Sequence, residues 1–225
     1  MSARISGLLG RTPGSATVQA PHDLLDGIAR FLEIAERAED ANGGELDRED
    51  IGQLGEYGLD LISNLDAQLQ AGGGETFRTS LRPVTLSITG WIVRGGGTVQ
   101  ALEPVVNALA EEANRHAEPR TLRQIEALMT SVLDACPDFV RNDLEQLNPA
   151  RPWRVLHLNR CITATRTREP EIMERVFDDF IQTLPDEAPG FFTEGMSEMD
   201  RVGYPPRVRQ VMQRYYDRFA RNQMN

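Results

Sequence analysis

The sequence contains no lysine: all 24 of its cationic side chains are arginine. Schiff-base chemistry, a phosphate-loop lysine and a lysine general base are therefore excluded. A G+C-rich genome that favours arginine codons is the simpler origin of that bias. Cysteine is scarce too. Cys136 and Cys161 are too few for a disulfide framework and fit a reducing compartment. No uninterrupted apolar stretch is long enough to span a bilayer, and the apolar run within Met1–Gly10 is too short for a signal peptide. Positive charge is outnumbered, with 24 arginines against 34 acids and a formal net charge of −10. Such a surface repels phosphates and argues against nucleic-acid binding. These absences describe a soluble, cytoplasmic protein with neither a nucleic-acid nor a membrane partner.

Catalytic signatures are missing as well. Neither glycine triplet, 72–74 or 95–97, follows a strand as a phosphate fingerprint requires. There is no Gly-x-Ser-x-Gly elbow, no His-Glu-x-x-His and no paired Glu-x-x-His set. No cofactor is expected.

What is present is helical periodicity. Residues 1–20, rich in small residues and without a period, read as a mobile tail. Leu24, Leu25, Ile28, Phe31, Leu32 and Ala35 then form one apolar stripe over residues 22–39. A second helix starts at Asp47, a capping residue, and runs to about Gln70. Between the glycine triplets the pattern is double. Val84, Leu86, Ile88 and Ile92 alternate like a strand, yet Val84, Ile88, Trp91 and Ile92 share a helical face, with Pro83 suited to a first turn. No second strand exists to satisfy a lone one, so the helix is favoured, and the flanking glycines mark 72–97 as a hinge. Prolines punctuate the remainder into helices at 102–116, 119–135, 138–147, 152–167, 170–184, 188–201 and 205–221. The expected fold is all-α: residues 21–225 form a single domain of about ten short helices, arranged as a HEAT/armadillo-like α-solenoid or an irregular helical bundle.

Two longer-range patterns accompany the helices. Residues 172–180 and 211–219 share Met, Arg, Asp and a final Phe at an offset of 39, within the range of helical repeats. Charge is also segregated. Residues 151–168 hold five arginines and no acid, 169–200 hold ten acids against Arg175 alone, and 201–221 hold six arginines against Asp217. Alternating signs on consecutive antiparallel helices let neighbours pair laterally, which fixes register more than it adds stability.

Three constellations carry candidate chemistry. Asp40, Asn42, Asp47 and Asp50 flank a Gly-Gly turn in a stretch that resembles an EF-hand calcium loop. That resemblance implies a calcium-responsive regulator holding the ion through six to eight oxygens. The loop is one residue short and ends on Asp50 instead of the longer Glu, so a turn flanked by helix-capping acids is the favoured reading. His157 and Cys161, four apart with Trp153 a turn earlier, have the spacing of two metal ligands or a thiolate–imidazolium pair at the centre of a small-ligand site or enzyme. They fall within an apolar arc, where packing is the commoner role. Lastly, Arg207, Arg214, Tyr215 and Arg218 sit in a C-terminal helix with the composition of an interface. A non-enzymatic adaptor or scaffold that binds another protein, or itself, through that helix is the expected function.

Overall fold

The computed structural model describes residues 21–40, 46–73, 75–142, 148 and 150–219, the side chains of 39, 40 and 75–78 excepted. Among them are ten α-helices: α1 (Pro21–Asp40), α2 (Arg48–Ala71), α3 (Glu75–Arg94), α4 (Leu102–Arg115), α5 (Pro119–Ala135), α6 (Asp138–Arg141), α7 (Pro152–Arg166), α8 (Pro170–Thr183), α9 (Ala188–Val202) and α10 (Pro206–Phe219). A single 3₁₀ turn, Pro185–Glu187, joins α8 to α9. The fold is all-α. Prolines open α1, α5, α7, α8 and α10, where a missing N–H costs no helical bond. No described helix is long and apolar enough to cross a membrane.

Two segments differ in detail from the sequence expectation. The doubtful 84–93 stretch is helical, but its helix begins at Glu75, so Pro83 lies inside α3 and not in its first turn. Loss of one backbone bond there is offset by burial of Ile88, Thr89, Trp91 and Ile92. The helix expected over 138–147 ends, within the described residues, at Arg141. The Arg141 side chain turns back onto the last turn of α5, its Nε donating to the Cys136 carbonyl at 2.8 Å and its Nη2 to those of Leu133 and Asp134 at 3.1 and 2.9 Å. One forked guanidinium thus reaches three carbonyls at the C-terminal end of α5.

The chain separates into two compact units, residues 1–109 with 131–144 and residues 110–130 with 145–225. In the first unit, α2 packs against both α1 and α3. Its inner face carries Gly52, Gly55 and Gly58, and these permit an unusually close approach. A Cβ on Gly55 would lie 2.2 Å from Ile92 Cγ1, and one on Gly58 would lie 3.1 Å from the Phe31 ring. Phe31 in turn meets Trp91 edge-on, ring centroids 5.7 Å apart. The second glycine triplet has a packing reason of its own, since a Cβ on Gly97 would stand 2.8 Å from the Gly52 nitrogen. Glu56 of α2 reaches the start of α4, its two carboxylate oxygens accepting from the Gln100 and Ala101 N–H groups at 2.6 and 2.9 Å. That is an N-terminal cap supplied from more than forty residues away. Burial raises the Glu56 carboxyl above its ordinary value despite those two bonds.

In the second unit, α7 packs on α8, α8 on α10, and α9 on α10. Cys161, Met173, Val176, Phe177, Phe180, Phe192, Met199, Val208, Val211 and Met212 form its core. Phe177, Phe192 and Tyr215 cluster with centroids 5.2 to 5.3 Å apart. Gly203, at φ 71°, stops α9 in the left-handed conformation that costs glycine least.

Candidate functional site

Helix α7 is the element most at odds with its own composition. It carries three arginines, a histidine and an asparagine, yet eight of its residues, Arg160 among them, are buried. Its polar groups are therefore paired one by one. Glu126 of α5, 1% exposed, accepts at Oε1 from Arg160 Nε at 3.2 Å and from the Thr130 hydroxyl at 2.7 Å. Its Oε2 accepts from Arg175 of α8 at 2.9 Å. Arg160 also donates through Nη1 to Asp179 of α8. Nearer the ends of α7, Arg154 pairs with Glu187, and Arg166 donates to the Ala113 and His116 carbonyls, capping α4 at 2.9 and 2.6 Å. The hydrogen bond from Arg154 holds the Glu187 carboxyl below its usual range.

This network is chemically saturated. Both oxygens of Glu126 are occupied by cationic donors, which suits a carboxylate fixing three helices and not a base awaiting a substrate. Composition alone pointed to Arg160 and Arg175 only as charge. Glu126 was missed, although one signal existed: it is an acid within the apolar arc that Leu122, Ile125, Met129 and Leu133 trace on α5.

The structure places Trp153, His157 and Cys161 among the buried residues of α7. Trp153 and His157 pack edge to face, centroids 4.5 Å apart, and the Arg151 guanidinium covers the Trp153 ring at 4.8 Å. Cys161 is fully enclosed in the apolar core, where burial pushes its thiol well above the ordinary value. A thiol so placed is a packing element and a poor nucleophile. Cys136 is similar, pushed up to about 12 by burial. Among the described residues no three His, Cys, Asp or Glu side chains gather as a metal ion needs.

Of the calcium-loop residues, Asn42 and the Asp40 side chain lie outside the described part. Asp47 is the N-cap of α2, its carboxylate accepting from the Asp50 N–H at 2.8 Å, and Asp50 is buried. Those positions act as helix-starting groups.

The four residues singled out on α10 divide. Arg207, Arg214 and Arg218 are exposed and follow one row along the helix, at spacings of seven and four residues. Arg214 bonds Glu174 across to α8, and Arg218 lies over the Phe219 ring at 4.7 Å. Tyr215, expected at the contact surface, is instead a core residue. Its ring packs against Phe177 and Phe192, and its hydroxyl donates to Asp178 at 2.8 Å. The reason is rotational: Tyr215 falls on the same side of α10 as Val208, Val211 and Met212.

The lateral charge pairing expected from the alternating helices is visible in this unit as Arg154–Glu187, Arg160–Asp179, Arg214–Glu174 and Arg209–Asp200. Compared with known proteins, the chain matches no family model, no curated protein and no solved structure.

Proposed function

We propose that this is a non-enzymatic, cytoplasmic α-helical interaction protein that binds a protein partner through the outer face of α10. The supporting observation is the exposed row of Arg207, Arg214 and Arg218 on a chain whose net charge is −10. Arginine combines weak hydration with forked donors, which suits it to a contact that must lose water. Arg207 has no ion-pair partner among the described residues, and the Arg214–Glu174 pair is exposed enough to be exchanged for an intermolecular one. Burial of the Trp153, His157 and Cys161 side chains favours this reading over a ligand site at their position.

The test is affinity purification of the full chain from its native cells, with the wild type and an Arg207→Glu/Arg218→Glu variant compared by mass spectrometry. A protein recovered with the wild type at near-equal amounts and lost with the folded variant is expected. Identical recoveries would reject α10 as the contact.

A further inference from the structure

We infer that the end of α7 carries a second contact surface, one that does not rest on the reading of α10. Ile162, Arg168 and Tyr204 dock a segment of a partner protein that presents a carboxylate about a turn from an apolar side chain.

Arg168 is the anomaly that points there. Among the described residues it is the one non-glycine at positive φ, held at 60° just beyond the C-cap of α7, with its side chain exposed. Glycine takes that conformation without strain, as Gly203 does at the end of α9. A cation near a helix C-terminus gains from the helix dipole, but Arg166 already supplies one in the last turn of α7 at ordinary φ. A strained residue that a glycine would relieve is kept where its side chain has a task.

That task is not an internal ion pair. Glu169, the next residue, pairs with Arg123 at 2.5 Å, and Glu198 pairs with Arg201 at 2.7 Å. Arg168 has no ion-pair partner among the described residues.

Two further groups stand by it. Tyr204 lies within electrostatic reach of Arg166 and Arg168. Its ring packs on the core of this unit, and its hydroxyl has no hydrogen-bond partner among the described residues. Ile162, one turn before Arg166, is 48% exposed on a helix that buries eight of its residues. Arg166 itself is committed to the Ala113 and His116 carbonyls, which anchors this end of α7. Around it are gathered a forked cation, a hydroxyl donor and a bare aliphatic side chain.

Those groups set the chemistry of the occupant. A carboxylate accepts from both an arginine and a hydroxyl. Ile162 gains only when another apolar group covers it. Ile162 and Arg168 are exposed and not enclosed, so they offer area to a peptide in place of a cavity for a small molecule. The net charge of −10 disfavours nucleic acid and restricts the docking segment to few acids.

A phage-displayed library of random peptides, panned on the full chain, supplies the probes. Enriched peptides are expected to combine Asp or Glu with Leu, Ile or Phe about a turn away. Synthetic copies titrated by fluorescence anisotropy should bind Arg168→Gly about tenfold more weakly than the wild type, with smaller losses for Tyr204→Phe and Ile162→Ala. Arg168→Gly relieves the strained φ, so thermal melts should show it at least as stable as the wild type, and its lost binding is then no effect of unfolding. Enrichment of no such peptide overturns the proposal. So does undiminished binding to Arg168→Gly, which would leave Arg168 as a C-terminal cation of α7 only. Peptides that ignore Arg168→Gly but are lost on Arg207→Glu/Arg218→Glu overturn this site and leave the α10 contact standing.

Discussion

The Tyr215 hydroxyl on α10 donates to the Asp178 carboxylate on α8 at 2.8 Å, while its ring is held between Phe177 and Phe192. One side chain therefore serves the core and the helix register together. Burial first, and the bond to Asp178 second, raise its phenol well above the ordinary tyrosine value. Tyr215→Phe keeps the ring and removes the bond, for an expected loss of about 1 kcal/mol in urea unfolding. Tyr215→Ala empties the cluster and costs about 3–5 kcal/mol. Burial raises Tyr204 as well, so ultraviolet titration of the wild type should show late-ionising tyrosines of which Tyr215→Phe abolishes one.

The Glu126–Arg160 pair gives a second prediction. Removing Glu126 leaves a buried guanidinium with half its support, so Glu126→Ala is expected to destabilise by about 3–5 kcal/mol. Replacing both partners, as Glu126→Leu with Arg160→Met, removes the stranded charge and recovers part of that loss. A double-mutant cycle by denaturant unfolding measures this. Additive losses would mean that the two residues do not act as a pair.

Backbone geometry supplies a third prediction, with opposite signs at two sites. Gly55→Ala gains helix propensity but drives a methyl against Ile92, for a net loss of about 1–2 kcal/mol. Ile92→Ala should cost less in that background than in the wild type. Arg168, by contrast, holds a left-handed φ of 60° just after α7, where a side chain is strained. Arg168→Gly is expected to stabilise by about 0.5–1 kcal/mol despite the added freedom of the unfolded chain. Thermal melts of the two variants should shift in opposite directions.

Acid titration separates two carboxylates. Glu187 has a folded value below its unfolded one, chiefly because Arg154 bonds it. Its contribution to stability is present above the unfolded value and is lost as pH falls through the folded value. Glu187→Gln should thus lower the urea midpoint at neutral pH and leave it unchanged in strong acid. Glu56 runs the other way. Its folded value is raised by burial, so its ionised form opposes folding, and that penalty eases as pH falls through the raised value. Carboxyl carbon shifts followed by NMR should show Glu56 titrating early and Glu187 late as acid is added.

Most helices were legible in the chain because amphipathic period and proline placement are local signals. Residues 119–135 match the expected span residue for residue, and 152–166 and 170–183 fall within a residue of it. Charge segregation foretold that neighbouring helices would pair, since the signs alternate with the helices themselves. The candidate site was less legible. Arg207, Arg214 and Arg218 could be named from composition, but Tyr215 could not be assigned to the core, because an aromatic residue at an interface and one in a core have the same sequence signature. Pro83 misled the start of α3, since buried contacts further along the helix outweigh one lost backbone bond.

The sequence by itself determined the helical class, the helix boundaries set by proline, the arginine-only cationic surface and the offset of 39 between 172–180 and 211–219. These depend on neighbours within a few turns or on composition, and no folding is needed to read them. Only the tertiary structure decided that α10 meets α8 through Arg214–Glu174 and Tyr215–Asp178, that Gly52, Gly55 and Gly58 form a close-packing face, and that Glu126 lies buried between two arginines. Each of those depends on which residue from a distant segment arrives opposite. A glycine is the same residue whether it faces solvent or Ile92, and an acid is the same residue whether it is hydrated or locked between guanidinium groups. The partner across the gap sets the energy, and that partner is chosen by packing.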